Sequence, residues 1–201
     1  MWATGTTTRW WWVRHAPVAW GGVYIYGHTD LACDCSDVAA FAALAARLPV
    51  PAVVVCSHLR RTHQTLAALT AAGWTATAPL VEPAFAEQAF GAWEGLIWDE
   101  LRADSYAMAF WAAPFTAHPP GGESFLDVAV RVRTAVARLL RTHTGHDIVA
   151  LAHAGSIRAA LALALDLTPE QAHAIAFDHL SITRLEHDGA TWKVREVNAI
   201  P

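Results

Sequence analysis

Two histidines close two apolar runs that lie far apart in the chain. His15 follows TRWWWVR, and His153 follows DIVALA. Arg14 stands beside the first. Arg61 falls at the start of a helical pattern just after AVVVCS, and Glu87 lies in EQAFGAWEG, an irregular segment of the kind that rims a site. Chemistry at a phosphate needs cations to hold a dianion, a nucleophile, and an acid for the leaving oxygen. A neutral His15 can attack phosphorus. Arg14, Arg61 and a protonated His153 can neutralise a bound phosphate, and the helix start at Arg61 also favours anions.

The elements that would position these groups follow from the hydrophobic pattern. Residues 8–14 read as a strand with Trp10 and Trp12 on one side and Trp11 on the other. Ser36-Asp37 can cap a helix through VAAFAALAARL that stops at Pro49. Residues 52–57 read as a buried parallel strand and 59–72 as a helix ended by Gly73, with a short strand expected at Trp74–Ala78. Two short helices fit near 96–103 and 104–112. Ser124, at the end of the PPGGES loop, can cap a long helix over 125–142, with Phe125, Val128, Val132, Val136, Leu139 and Leu140 on one face. A strand at 147–152 and a helix at 155–166 precede a hairpin with arms 180–187 and 191–197, turned at Asp188-Gly189 in a type I′ turn.

Repeated strand–helix units predict an α/β chain. The expected architecture is a three-layer α/β/α sandwich in one domain over 1–201, its central sheet mostly parallel with an antiparallel edge hairpin. In such sheets a ligand sits at the carboxyl ends of the strands, where strand order reverses. His15, Ser57 and His153 all fall at such ends.

Composition excludes several classes. Hydrophobic residues make up 54% and charged residues 16% of 201, as in a globular chain. A net charge of −4 does not suggest a nucleic-acid partner, though a local Arg cluster still suits an anionic substrate. No stretch reads as a membrane span or as a secretory leader. Cys33, Cys35 and Cys56 read as free thiols, which makes the cytoplasm the expected compartment. Of eleven histidines, His143 and His146 are three apart, but no acidic third ligand accompanies them, so no metal or other cofactor is expected.

The motifs together resemble the histidine phosphatase (phosphoglycerate-mutase-like) superfamily. VRHA at 13–16 is similar to its Arg-His-Gly signature, GHTD at 27–30 to a Gly-x-x-Asp loop, and SHLRRTHQT at 57–65 to its Ser-Pro-x-x-Arg segment. EQAFGAWEG at 87–95, PPGGES at 119–124 and AHAG at 152–155 resemble the Glu-x-x-Phe-Gly segment, a late loop and the second histidine. The resemblance runs almost end to end. It implies His15 as the nucleophile that forms a phosphohistidine, with Arg14, Arg61 and His153 on the phosphate. Glu87 would protonate the leaving alcohol and then activate water, without a metal. The pattern looks most like the α-ribazole phosphatase branch. Three departures stand out: Ala16 in place of Gly, His58 in place of Pro, and His28 where relatives often have Arg.

Each group also has an ordinary reading. Sequence alone does not show whether Arg60 or Arg61 points inward, although the motif offset favours Arg61. Glu82 reads as structural and Glu94 as a surface or supporting residue. Arg158 reads as an ordinary helix cation. Trp20, Tyr24, Tyr26, Trp93, Phe110 and Trp111 fall near the expected mouth, where they either line an aromatic pocket or pack a lid. The expected function is a phosphomonoester hydrolase acting on a small phosphorylated substrate. The rivals are a mutase, a phospho-ligand-binding module of weak activity, and a protein phosphohistidine phosphatase. A homodimer through an edge strand or a helix is left open.

Overall fold

A computed structural model of the chain describes residues 7–19 and 23–201. Trp20 and residues 1–6 lie outside the described residues. Six strands form one sheet in the order β3-β2-β4-β1-β5-β6. They are β1 (Thr8–Arg14), β2 (Val53–Cys56), β3 (Leu80–Val81), β4 (Asp147–Ala152), β5 (Ile182–His187) and β6 (Trp192–Ala199). The first four run parallel to one another, and β5 and β6 add the antiparallel edge, β5 pairing with β1. The chain leaves β1 for β2, steps outward to β3, and returns to insert β4 between β1 and β2.

Helices cover both faces, as the α/β/α expectation required. On β4, Ile148, Ala150 and Ala152 pack to one side, while Val149 and Leu151 pack to the other. That period of two is the pleat of a strand buried on both faces. The first face carries α4 (Phe125–Thr142) and α5 (Ala154–Leu165), which meet Trp10, Trp12 and Phe85. Trp10 and Trp12 stack at 5.3 Å, and Phe85 closes on Trp12 at 4.7 Å. The second face carries α1 (Val38–Arg47) and α2 (Arg60–Ala71), which bury Phe41, Leu44 and Leu69 against Val13, Val54 and Leu151. A third cluster, Ile25, Trp93, Leu101, Ala107 and Phe110, gathers around α3 (Ser105–Ala112).

Local side-chain caps set most helix starts. Asp37 accepts from Ala40 N at 2.9 Å to start α1. Ser124 and Asp127 form a reciprocal capping box at α4. The α2 start has no capping side chain of its own. Asp30, from the 27–30 loop, accepts the Arg60 N–H at 2.7 Å instead.

Three expectations differ. Residues 74–78 form no strand. Trp74 plugs the second core and donates its indole N–H to Pro49 O at 3.1 Å, so the chain reaches the sheet edge only at Leu80–Val81. The first of the two expected short helices forms as a 3-10 helix, Trp98–Ala103. The hairpin turns at Gly189-Ala190, with Gly189 the one positive-φ residue there, at 97°. A type I′ turn needs two such residues in succession. Asp188 instead uses its carboxylate to accept from Ala190 N and Thr191 N. Finally, α6 (Pro169–His173) forms where no helix was expected, started by a Thr168–Gln171 capping box with Pro at its first position.

Candidate active site

The carboxyl ends of β1, β2 and β4 meet beside the point where strand order reverses. They deliver His15, Ser57 and His153, all fully buried. The rings of His15 and His153 lie 5.0 Å apart. Their separate strand ends therefore form one site, joined by Arg61, whose side chain is also fully buried.

His15 is held in one tautomer. Its Nδ1 lies 2.6 Å from Ala16 O, and a carbonyl oxygen only accepts, so Nδ1 carries the proton. The lone pair is left on Nε2, which is buried and has no partner among the described residues. Burial, reinforced by the Arg61 charge, holds its pKa well below the ordinary value of 6.5. The Ala16 departure is absorbed without strain. Its φ is not positive, its N–H donates to Thr65 Oγ1 at 3.0 Å, and its methyl joins the second core.

Arg61 uses three of the five N–H donors of a guanidinium to fix itself. Nη2 donates to Gly27 O at 2.7 Å, Nη1 to Thr29 O at 2.9 Å, and Nε to His153 Nδ1 at 3.2 Å. The neighbouring Arg60 only caps toward Asp30 through its backbone, so the inward arginine is Arg61. The same contact decides the state of His153. Its Nδ1 accepts from Arg61, and its Nε2 faces Ser57 Oγ at 2.7 Å. The expected protonated His153 is thus not the form present. Burial and the Arg61 charge push its pKa well down, and Arg61 occupies the lone pair a second proton would need.

Glu87 meets the start of α5, just past His153. Its Oε1 accepts from Gly155 N at 3.0 Å and from Gln88 N at 2.9 Å. The segment that carries it is clamped by Arg131 of α4, which donates to Ala84 O, Ala86 O and Glu87 O at 2.7–3.0 Å. Arg131 in turn pairs with Glu123 through two contacts of 2.8 and 2.9 Å. His28 adds an Nε2–H bond to Glu87 O at 2.7 Å, so it supports the rim rather than standing as a free cation. Glu94 accepts from His28 N, Phe90 N, Thr29 N and the Thr29 hydroxyl, which ties the 27–30 loop to the rim. Glu82 caps the 3-10 turn at Pro83–Phe85 and pairs with Arg138. Glu82 and Glu94 thus both hold structure.

Arg14 donates to Phe177 O, while its buried Nε has no partner among the described residues. Arg158 departs from its reading as an ordinary helix cation. It lines the cleft with Glu87, donates to Ala172 O and Ile175 O, and lies over the Phe177 ring. His179 was not singled out in the sequence. Its Nδ1–H donates to His15 O at 2.9 Å and its ring lies 5.1 Å from that of His15. Neither Arg131 nor His179 carries a local signal, since both act through contacts distant in sequence.

A family model described as the histidine phosphatase superfamily, branch 1, matches residues 10–200. The chain belongs to that superfamily. A Mycobacterium tuberculosis protein named as bifunctional is 37% identical over 165 residues, covering 81% of this chain but only 44% of its own length. The chain therefore spans about half the length of such curated relatives. The Mycobacterium tuberculosis glucosyl-3-phosphoglycerate phosphatase is 35% identical over 126 residues, covering 58% of this chain and 56% of its own. A solved structure of mycobacterial glucosyl-3-phosphoglycerate phosphatase superposes with a TM-score of 0.81 at 28% identity, covering 96% of this chain and 99% of that one. An Escherichia coli structure described as a candidate alpha-ribazole-5'-P phosphatase shares the fold, with a TM-score of 0.83 at 23% identity over 96% of this chain and 98% of that one. Phosphatases figure among the proteins this chain resembles.

Proposed function

We propose that this chain is a metal-independent phosphomonoester hydrolase working through a phosphohistidine on His15. The observation that carries the reading is the His15 Nδ1–H bond to Ala16 O, which leaves the Nε2 lone pair buried and unpartnered. In the first half-reaction Nε2 attacks phosphorus and the bond to the leaving oxygen breaks. A protonated Glu87 gives its proton to that oxygen. In the second, water attacks phosphorus, Glu87 takes the water proton, and the P–N bond breaks to release inorganic phosphate.

The remaining N–H donors of Arg61 and the free face of Arg14 supply the positive charge that a metal supplies in other phosphatases. His153 would join them once an anion draws Arg61 away from Nδ1, since a nearby dianion raises an imidazole pKa. The substrate is a small organic phosphate, with α-ribazole 5'-phosphate the first to assay.

The test is release of p-nitrophenol from p-nitrophenyl phosphate with EDTA present, comparing the native chain with His15→Ala. Turnover by the native chain alone supports the reading. Equal turnover by both proteins removes His15 as nucleophile, and loss of native turnover on chelation removes the metal-free mechanism.

A further inference from the structure

The cleft does not end at Glu87. Its inner lobe, lined by Tyr26, Glu87, Gly155 and Arg158, shares Gln88, Phe90, Trp98 and His173 with an outer lobe. The outer lobe adds Phe110, Trp111, Pro114 and Phe115. The two hold about 190 and 260 Å³, which together falls in the range of small-ligand clefts, ~300–1,000 Å³.

The outer lobe has a definite chemistry. Trp98 stands edge-on to Phe90 at 5.6 Å and to Trp111 at 4.9 Å, and Trp111 meets Phe110 at 5.4 Å. Trp111 remains 49% exposed although it belongs to this aromatic wall. A ring that only packed the lid would be covered, as Trp93 is at 3%. The polar groups facing the lobe are neutral or committed. Gln88 donates its amide N–H to Glu123 O at 2.6 Å. His173 sits against Phe115 and Phe125 at 4.8 and 4.7 Å, and burial together with the Arg158 charge lowers its pKa. No acidic residue lines the outer lobe, and Arg158, the fixed cation of the inner lobe, is tied to two carbonyls and a ring.

We infer that this outer lobe binds the organic part of the substrate and selects an uncharged aromatic ring joined to the phosphate by a short linker. The inference rests on the hydrolase reading above for its orientation, with phosphate at His15 and the ring beyond Gln88. Stacked and edge-on aromatic contacts favour such a ring over an aliphatic group. A leaving group bearing a carboxylate would lose water there without gaining a free cation, which is costly. Phosphoglycerate-like compounds are therefore poor substrates.

The experiment compares benzyl phosphate, n-propyl phosphate and 3-phosphoglycerate, whose leaving groups are all alcohols. The native chain is expected to favour benzyl over propyl phosphate by about tenfold in kcat/KM, mainly through KM, and to turn over 3-phosphoglycerate more slowly than either. Trp111→Ala and the milder Trp98→Phe should narrow the benzyl-to-propyl ratio. Damage to the fold would lower both rates and keep the ratio. Equal kcat/KM for benzyl and propyl phosphate, a preference for 3-phosphoglycerate, or an unchanged ratio in Trp111→Ala overturns the inference. Calorimetric binding of benzylphosphonate and propylphosphonate reads the same preference without turnover. A chain that hydrolyses none of the esters yet prefers benzylphosphonate would overturn the hydrolase reading and keep the aromatic subsite. Equal binding of the two phosphonates would overturn the subsite whatever the esters do.

Discussion

Gly155 and Glu87 fix each other's position. The Gly155 N–H donates to Glu87 Oε1 at 3.0 Å, and a Cβ at residue 155 would lie 2.2 Å from that same oxygen. The obstructing atom is the far end of a flexible side chain, so it can swing away. Gly155→Ala should therefore displace the carboxylate without unfolding α5, where Ala is in any case the better helix former. The expected loss in kcat is ~10²-fold or more, the scale of a general acid. Tm should move by less than about 3 °C, or ~1 kcal/mol in a chain of this size. Steady-state assay and thermal denaturation of the variant decide it; a native kcat would show that Glu87 does not need this seat.

Arg61→Lys tests the geometry of the guanidinium. An ammonium cannot hold Gly27 O and Thr29 O together while still facing an anion. The loss in kcat/KM should be about 10²–10³-fold, as for removal of one preorganised transition-state donor. Retention of a tenth of native kcat/KM would argue that charge alone suffices there.

The acid limb of the pH–rate profile follows from His15. Burial and the Arg61 charge hold its folded pKa well below 6.5, so the attacking lone pair survives into acid. The pH at which kcat/KM falls should lie well below 6.5. Stability follows the same sign. A neutral buried His with a depressed pKa contributes stability that is complete above its unfolded pKa, ~6.5. That stability is lost as pH falls through the folded value. His153 adds to it in the same direction. An acid limb centred at or above 6.5 would contradict both assignments.

Arg131→Met removes a clamp. It leaves Ala84 O, Ala86 O and Glu87 O without their donor and strands Glu123, whose side chain is only 25% exposed. The expected cost is about 2–4 kcal/mol in urea unfolding. Burial alone would raise the pKa of Glu123, but the Arg131 hydrogen bonds, with help from Ala89 N–H, bring it below the ordinary 4.5. This pair's contribution is thus present above ~4.5, the unfolded carboxylate value, and is lost as pH falls through the lower folded value. The difference between native and variant should shrink in that acid range. A constant difference down to strong acid would rule out the carboxylate as its source.

What could be read from the chain was what is decided locally. Strand ends at His15 and His153, the caps at Asp37 and Ser124, and the alternating faces of Trp10, Trp11 and Trp12 depend on a few adjacent residues. The same holds for α6, where Thr168, Pro169 and Gln171 form a start signal within four residues. The hairpin failed for a different reason: Asp188-Gly189 suits two turn types, and the Asp188 carboxylate chose between them by capping Ala190 and Thr191. The supports of the site were not legible. Arg131 reaches a rim more than forty residues away, Asp30 caps a helix from another loop, and His179 touches His15 only because β5 lies beside β1. The neutral state of His153 also needed the fold, since it depends on where Arg61 points.

The 27–30 loop and the first turn of α2 hold each other in both directions. Asp30 accepts from Arg60 N, while Arg61 donates to Gly27 O and Thr29 O. Neither segment can open without breaking bonds that secure the other, so the two form a single opening unit. Their amide protons should exchange with a common free energy, although about thirty residues separate them in the chain. An anion that grips Arg61 would slow exchange throughout the loop, including at amides it never touches.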